Sequence, residues 1–575
     1  MLPKNSPASV RTKACQVSSV SAPSAITVIE PVYGGLCNYH LGQYEEAILH
    51  YDEAKKHQGE PKVMAEIHYN RGLANSSLMR FEDAIKDHKK AIDEMNDNSK
   101  VFKMRFQLGV TLRRVANQQQ DPKQFDALIT KSIEELKKAT EIQAQDPSAL
   151  NNLGLSLFEA NKLDEAIECY TKAIQFEEAE MKENRASNPE NLSYFYKNRG
   201  LAFFHRQDEE QDDMLAALKD YKLAIEKNPD NADNYFNRGN VHLTKQEFSE
   251  AHRDFDTAIE KEELNAKFYH AKGLAFQREV EAMQNQKDKD QELEEEKTNS
   301  AIAYYGMALQ YCDTFISPMF HSGLMFHRQK RYRDALKMFT KVEELLPGDT
   351  SVYIERGLVY QDMGNHNAAI DDFQKAIDLD ESQAMSYYHL GVSKLRSRHV
   401  RDAEDAFKES LQRAQDDEIP KIQDGLGCCY MAMEQYDKAM GEFNQAIEKD
   451  PKNPEFLKDR AQCYFDIKRY DAAIYDLDTA LALSPDDSMI YYKKSITFFA
   501  NKKYKKCITT IKQALQLQMH MSYEADLFYH LGLAYCRTEK FEKSIFPYTK
   551  CVDKIPSDLR FIHERAKAYQ MIDMH

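Results

Sequence analysis

The chain has 575 residues, of which 42% are hydrophobic and 30% charged, with 20 Gly, 17 Pro and a net charge of −16. The acidic balance argues against nucleic acid and anionic membrane as partners, since both are held by a surplus of Lys and Arg. Sparse Gly and Pro leave little material for strands joined by tight turns, so helix is the expected element.

Residues 1–29 are Ser-rich, carry Lys4, Arg11 and Lys13, and contain no acid, a composition that overlaps with mitochondrial transit peptides. Pro3, Pro7 and Pro23 interrupt any amphipathic helix there, so the stretch is read as a disordered tail. No apolar run approaches the ~20 residues a membrane helix needs.

From about residue 30 to residue 575 one pattern recurs. Gly154 opens GLSLFEANKLDEAIECYTKAI, Gly239 opens GNVHLTKQEFSEAHRDFDTAI, and Gly357 opens GLVYQDMGNHNAAIDDFQKAI. In each, a small residue follows (Ala166, Ala251, Ala369), then an aromatic (Tyr170, Phe255, Phe373), then another Ala (Ala173, Ala258, Ala376). These spacings place apolar residues on one face of each of two helices with a turn between them. The signature position falls at Gly35, Gly72, Gly109, Gly154, Gly200, Gly239, Gly273, Gly323, Gly357, Gly391, Gly427, Ala461, Ser495, Gly532 and Ala566. That gives about fourteen helix pairs and a terminal capping helix around Leu559–Ile572. Small residues mark close helix crossings, and Phe255, Phe373 and Phe443 are expected to fill the space between one pair and the next. Pro229, Pro347, Pro451, Pro485 and Pro556 fall where second helices end, with Ser148, Asp486 and Asp558 as caps nearby. The period breaks at 117–125, 178–193 and 207–214, and most of all in the acidic insertion 284–299, QNQKDKDQELEEEKTN. That run is read as a solvated helix extension or loop, or else as a docking site for a basic partner.

The pattern resembles the tetratricopeptide (TPR) motif, a helix–turn–helix of about 34 residues. The resemblance implies an all-α solenoid, a right-handed superhelix of antiparallel helix pairs, whose first helices line a concave groove for partner segments. The residue two before the signature Gly commonly faces that groove in the family, and here it includes Asn70, Asn152, Asn198 and Asn237. The row Asn152–Asn198–Asn237 resembles the asparagine ladder of O-linked GlcNAc transferases, with Gln107 interrupting it. An Asn amide donates and accepts, so it can satisfy a peptide backbone without reading its side chains. Co-chaperones of the family grip acidic chaperone tails with a Lys–Asn, Asn, Lys–Arg clamp. The matching positions here are Tyr194, Asn198, Asn237, Lys267 and Ala271, so the first Lys and the last Arg are missing. In the C-terminal units Tyr388, Tyr492, Phe499 and Tyr529, with Leu395 and Met431, form an apolar groove suited to a partner helix, or else pack between helices.

Catalytic signatures are absent. Eighteen His are scattered at non-repeating spacings without an HExxH. Gly425–Leu426–Gly427 lacks the third Gly and the preceding strand of a phosphate loop. Ten Cys form no CxxC and read as reduced packing thiols of an intracellular protein. Adjacent Cys428 and Cys429 point to different helix faces, which speaks against a redox or metal pair. The expectation is a cytoplasmic, non-enzymatic scaffold without metal, cofactor or small-molecule substrate, binding other proteins, several at once. Array length alone suggests a ciliary or cytoskeletal setting, a fold-level analogy. The alternatives are a co-chaperone adaptor and a substrate-recruiting regulatory subunit of an enzyme.

Overall fold

A computed structural model describes residues 23–57, 60–183, 188–208, 212–284, 290–516 and 524–573. Among the described residues 29 helices follow one another from Pro23–His40 to Leu559–Asp573, and there is no strand. They form two compact units, Met1–Asp313 with seven helix pairs and Thr314–His575 with seven more pairs and the last helix. Within each unit the two helices of a pair pack on each other, and the second helix packs on the first helix of the next pair. First helices of consecutive pairs also touch, so each unit presents one continuous face built from first helices. No helix among the described residues is long and apolar enough to cross a membrane.

The signature glycines serve aromatic rings. A Cβ on Gly357 would lie 2.8 Å from the Phe373 ring, one on Gly239 2.7 Å from Phe255, and one on Gly427 2.6 Å from Phe443. Each ring comes from the second helix of the same pair and is fully buried. The aromatics expected between pairs therefore sit first of all inside the helix crossing of their own pair. Some reach the next pair as well: Phe407 also fills the space beside Gly425, and Phe373 stacks on His389 at 5.5 Å. Burying such a ring is worth ~1.5–3 kcal/mol, and it recurs in pair after pair.

A second repeated device ties the pairs together. Arg238, Arg356 and Arg460, each just before the signature position, reach Asp254, Asp372 and Asp476 on the second helix with two hydrogen bonds apiece, all between 2.6 and 2.8 Å. Arg71–Asp87 and Arg199–Asp220 repeat the pairing in other units. The planar guanidinium matches a carboxylate at two points, which fixes the angle between the helices as well as their contact.

Several expected boundaries moved for simple reasons. Proline at the first position of a helix starts it instead of interrupting it. Thus the helix Pro23–His40 begins inside the stretch expected as tail; residues 1–22 lie outside the described residues. The cap before Pro147 is Asp146, accepting from the Ala149 amide at 2.7 Å, not Ser148. The cap before Ser488 is Asp487, accepting from Met489 at 2.8 Å, not Asp486. Asp558 does accept from the Arg560 amide, at 3.0 Å. Interruptions of the period are largely absorbed by longer helices, since an added turn keeps backbone hydrogen bonds satisfied. The helices Pro122–Ile142, Leu163–Lys182 and Gln291–Tyr311 run to 21, 20 and 21 residues. The acidic stretch after Asp290 is the first part of the last of these, and 285–289 lie outside the described residues, as do 184–187 and 209–211.

Candidate functional site

The faces built from first helices carry the residues singled out from the sequence, and their environments differ. In the unit Met1–Asp313 the four asparagines are all half-buried on first helices. Asn152 gives its amide to the Ser148 carbonyl at 2.9 Å and accepts from Arg113 at 3.3 Å. Asn198 donates to the Asn151 side chain at 2.9 Å. Both amides are therefore committed to neighbours, which pattern alone does not reveal. The side-chain amides of Asn70 and Asn237 make no hydrogen bond among the described residues, and Lys267 is exposed at the start of the helix Ala266–Gln284.

The clamp-like positions fare differently. Ala271, where the clamp needs an Arg, is 5% exposed and packs with Ala251, Phe255 and Ala275. The neighbouring cations are engaged: Lys197 pairs with Asp233 at 3.5 Å, and buried Lys272 pairs with Asp256 and lies 4.5 Å from the Tyr304 ring centre.

In the unit Thr314–His575 the aromatics are half-buried and packed against the core. Tyr492 and Phe499 meet the edge of His530, at 6.3 and 5.9 Å, and Tyr529 sits 5.4 Å from Phe561 of the last helix. These three belong to one cluster that seats the final helix. Leu395 and Met431 join Tyr388 at the edge of another cluster. Tyr492 lines a cavity of about 200 Å³, and Tyr388 a larger one of about 820 Å³.

That cavity lies between three consecutive first helices, Ala384–Arg396, Ile419–Ala432 and Pro454–Asp466. Asp416, Asp417, Asp424, Asp450, Glu455 and Asp459 line it against only Lys421 and Lys449. Asp424 and Cys428 sit one turn apart on the same helix, and the Cys428 thiol donates to Asp459 at 3.8 Å. Asp424, Cys428 and Asp459 bring their ligand atoms within 4.8 Å of one another, the group of described residues best placed to hold a cation. Burial, then the charges of Asp459 and Glu455, push the Asp424 carboxyl up to about 8. Its Oδ1 is enclosed and makes no hydrogen bond. Burial also raises the Cys428 thiol well above its ordinary value. Cys429, as expected of the adjacent position, points elsewhere and is fully buried in the core.

Sequence reasoning found Tyr388, set Cys428 aside as a packing thiol, and missed Asp424 and Asp459. The available signal was the spacing: Asp424 and Cys428 share a helical face at i and i+4. Asp459, two before the signature Ala461, occupies the register examined elsewhere for asparagine.

The tetratricopeptide repeat family model matches residues 147–178, 351–383 and 425–488. The chain is 34% identical over 111 residues to RNA polymerase II-associated protein 3 of Rattus norvegicus, covering 18% of this chain and 16% of that protein. It is 26% identical over 136 residues to Protein CTR9 homolog of Arabidopsis thaliana, 23% of this chain and 12% of the relative. It is 24% identical over 135 residues to Hsp70-Hsp90 organizing protein 3 of Arabidopsis thaliana, 24% of this chain and 18% of the relative. The chain thus spans under a fifth of the length of these curated relatives. Among solved structures, the APC/C hetero-tetramer Cut9-Hcn1 aligns over 92% of this chain and 99% of its own, with TM-score 0.41 and 14% identity. Yeast Tom70 aligns over 86% of this chain and 99% of its own, with TM-score 0.39 and 15% identity.

Proposed function

Because the chain is a tetratricopeptide-repeat protein, we propose that it is a non-enzymatic scaffold holding segments of other proteins along the faces built from its first helices. The observation that carries the reading is the cavity of about 820 Å³ that opens between three first helices. Second helices contribute mainly buried small and aromatic residues to the packing, whereas first helices keep half-exposed polar and aromatic side chains available. Two compact units, each with its own face, suit several partners held at once. A multi-protein assembly is in keeping with relatives whose names describe an organizing protein and a polymerase-associated protein. Array length, a fold-level analogy, is what supports a ciliary or cytoskeletal setting for that assembly.

The test is crosslinking with mass spectrometry on the full chain purified with its partners. Crosslinks should concentrate on first helices; crosslinks confined to the outer faces of second helices would overturn the reading. A co-chaperone adaptor is the second reading, favoured by the likeness to Hsp70-Hsp90 organizing protein 3. Buried Ala271 and the engaged Lys197 and Lys272 weigh against it.

A further inference from the structure

We propose that the acidic cavity between the helices Ala384–Arg396, Ile419–Ala432 and Pro454–Asp466 receives a lysine or arginine side chain from a basic segment of a partner protein, its cationic head against Asp424 and Asp459. The inference rests on the scaffold reading and names the chemistry of one partner.

Three independent observations converge. The first is charge: five acids besides Asp424 line the cavity against two lysines. The second is an unmet need, the enclosed Oδ1 of Asp424, which has no hydrogen-bond partner. A buried polar atom without a partner is destabilising, and an ammonium or guanidinium supplies the missing donor. The third is size, since about 820 Å³ accommodates a stretch of chain, far more than a lone ion requires. A basic side chain also suits the surroundings better than a metal ion does. Lys493 holds Asp459 at 3.5 Å and donates to the Lys458 carbonyl at 3.4 Å, a fixed positive charge that repels a divalent ion about twice as strongly as a single ammonium or guanidinium. The half-buried Cys428 lies beside Asp424 and Asp459, whose negative charge opposes the thiolate a metal would need. Tyr388 forms an aromatic wall, with Lys421 4.8 Å from its ring centre.

The occupant changes the protonation of the cavity. Asp424 faces Asp459, Glu455 and Lys493 of neighbouring helices, Tyr388, and Lys421 and Cys428 of its own. With its carboxyl raised to about 8, Asp424 is mostly protonated at neutral pH. A cation against it favours the carboxylate, so docking at pH 7 releases about one proton.

The experiment is calorimetric titration of the full chain with two pools of acetylated, amidated heptapeptides. One pool fixes Arg at the centre; the other fixes citrulline, the same shape without the charge. The Arg pool should bind at least tenfold tighter, and Asp424→Asn and Asp459→Asn should each weaken it tenfold or more. Asp424→Asn is a neutral isostere, so its helical circular dichroism should match the parent chain. Comparing phosphate with Tris buffer counts protons: about one should be released per peptide, and none with Asp424→Asn. Equal binding of both pools, or unchanged binding by Asp424→Asn, overturns the inference. So does tight binding of zinc chloride that Cys428→Ser abolishes while the Arg pool is silent. Silent peptides with first-helix crosslinks intact would sink this inference alone; loss of those crosslinks sinks the scaffold reading.

Discussion

The buried ion pair of Arg356 and Asp372 offers the sharpest test of how the helix pairs hold together. The two side chains are 8% and 5% exposed and share two hydrogen bonds of 2.8 Å. A third guanidinium nitrogen reaches Glu343 on the second helix of the preceding pair, and the guanidinium lies 5.6 Å from the Tyr353 ring centre. Arg356→Ala leaves the Asp372 carboxylate buried without its partner, a loss of ~3–5 kcal/mol. Replacing both members by apolar residues of similar volume, Arg356→Met with Asp372→Leu, leaves no buried charge stranded, since half-buried Glu343 keeps Lys375 at 3.5 Å, and should fall within about 1 kcal/mol of the parent chain. In a repeat array such losses are felt locally, because each pair contacts only its neighbours. Amide hydrogen exchange therefore reads them better than a global melt. At tenfold per 1.4 kcal/mol, exchange across Thr350–Asp362 and His366–Leu379 should quicken by roughly two to three and a half powers of ten in Arg356→Ala. The double variant should stay near the parent rate. Equal acceleration in the single and double variants would show that the lost contact matters and the stranded charge does not, refuting the reasoning.

Gly357→Ala places a Cβ 2.8 Å from the Phe373 ring and should destabilise that pair by ~1–3 kcal/mol. Gly441→Ala, whose Cβ meets nothing within 4 Å inside the helix Tyr436–Lys449, should stabilise by ~0.5–1 kcal/mol. Local hydrogen exchange distinguishes the two. Burial holds the His389 imidazole down at about 4, below its unfolded value near 6.5. The unfolded chain then binds the extra proton between those values, so this stabilisation is complete above about pH 6.5 and is lost as pH falls toward 4. His389→Phe, which keeps a ring against Phe373, should shrink the loss of melting temperature between pH 7 and pH 5; an unchanged difference would remove His389 from the acid response. Acidic C-terminal peptides of heat-shock chaperones should not bind with useful affinity, because among the clamp positions only exposed Lys267 offers a cation. Micromolar binding of a fluorescent tail peptide, abolished by Lys267→Ala, would reverse that conclusion.

The repeat, and with it the fold, is legible in residue spacing alone. A Gly followed by an aromatic sixteen residues on, as in Gly154–Tyr170 or Gly357–Phe373, reports local helix–turn–helix geometry, and geometry of that range is written in spacing. The recurring Arg before the signature position, with its Asp sixteen residues later in Arg238–Asp254 and Arg356–Asp372, is a signal of the same range. Which side chains are already engaged depends on how the helices pack. Asn152 and Asn198 look alike in sequence to Asn70 and Asn237, yet their amides are taken by Ser148, Arg113 and Asn151. Asp424 and Asp459 are two acids among 93 in the sequence. They become a pair only when consecutive first helices pack side by side and enclose one carboxylate oxygen without a donor. Periodicity specifies which face of a helix is apolar; what a polar residue on the other face meets depends on a neighbouring helix some thirty residues away in the chain.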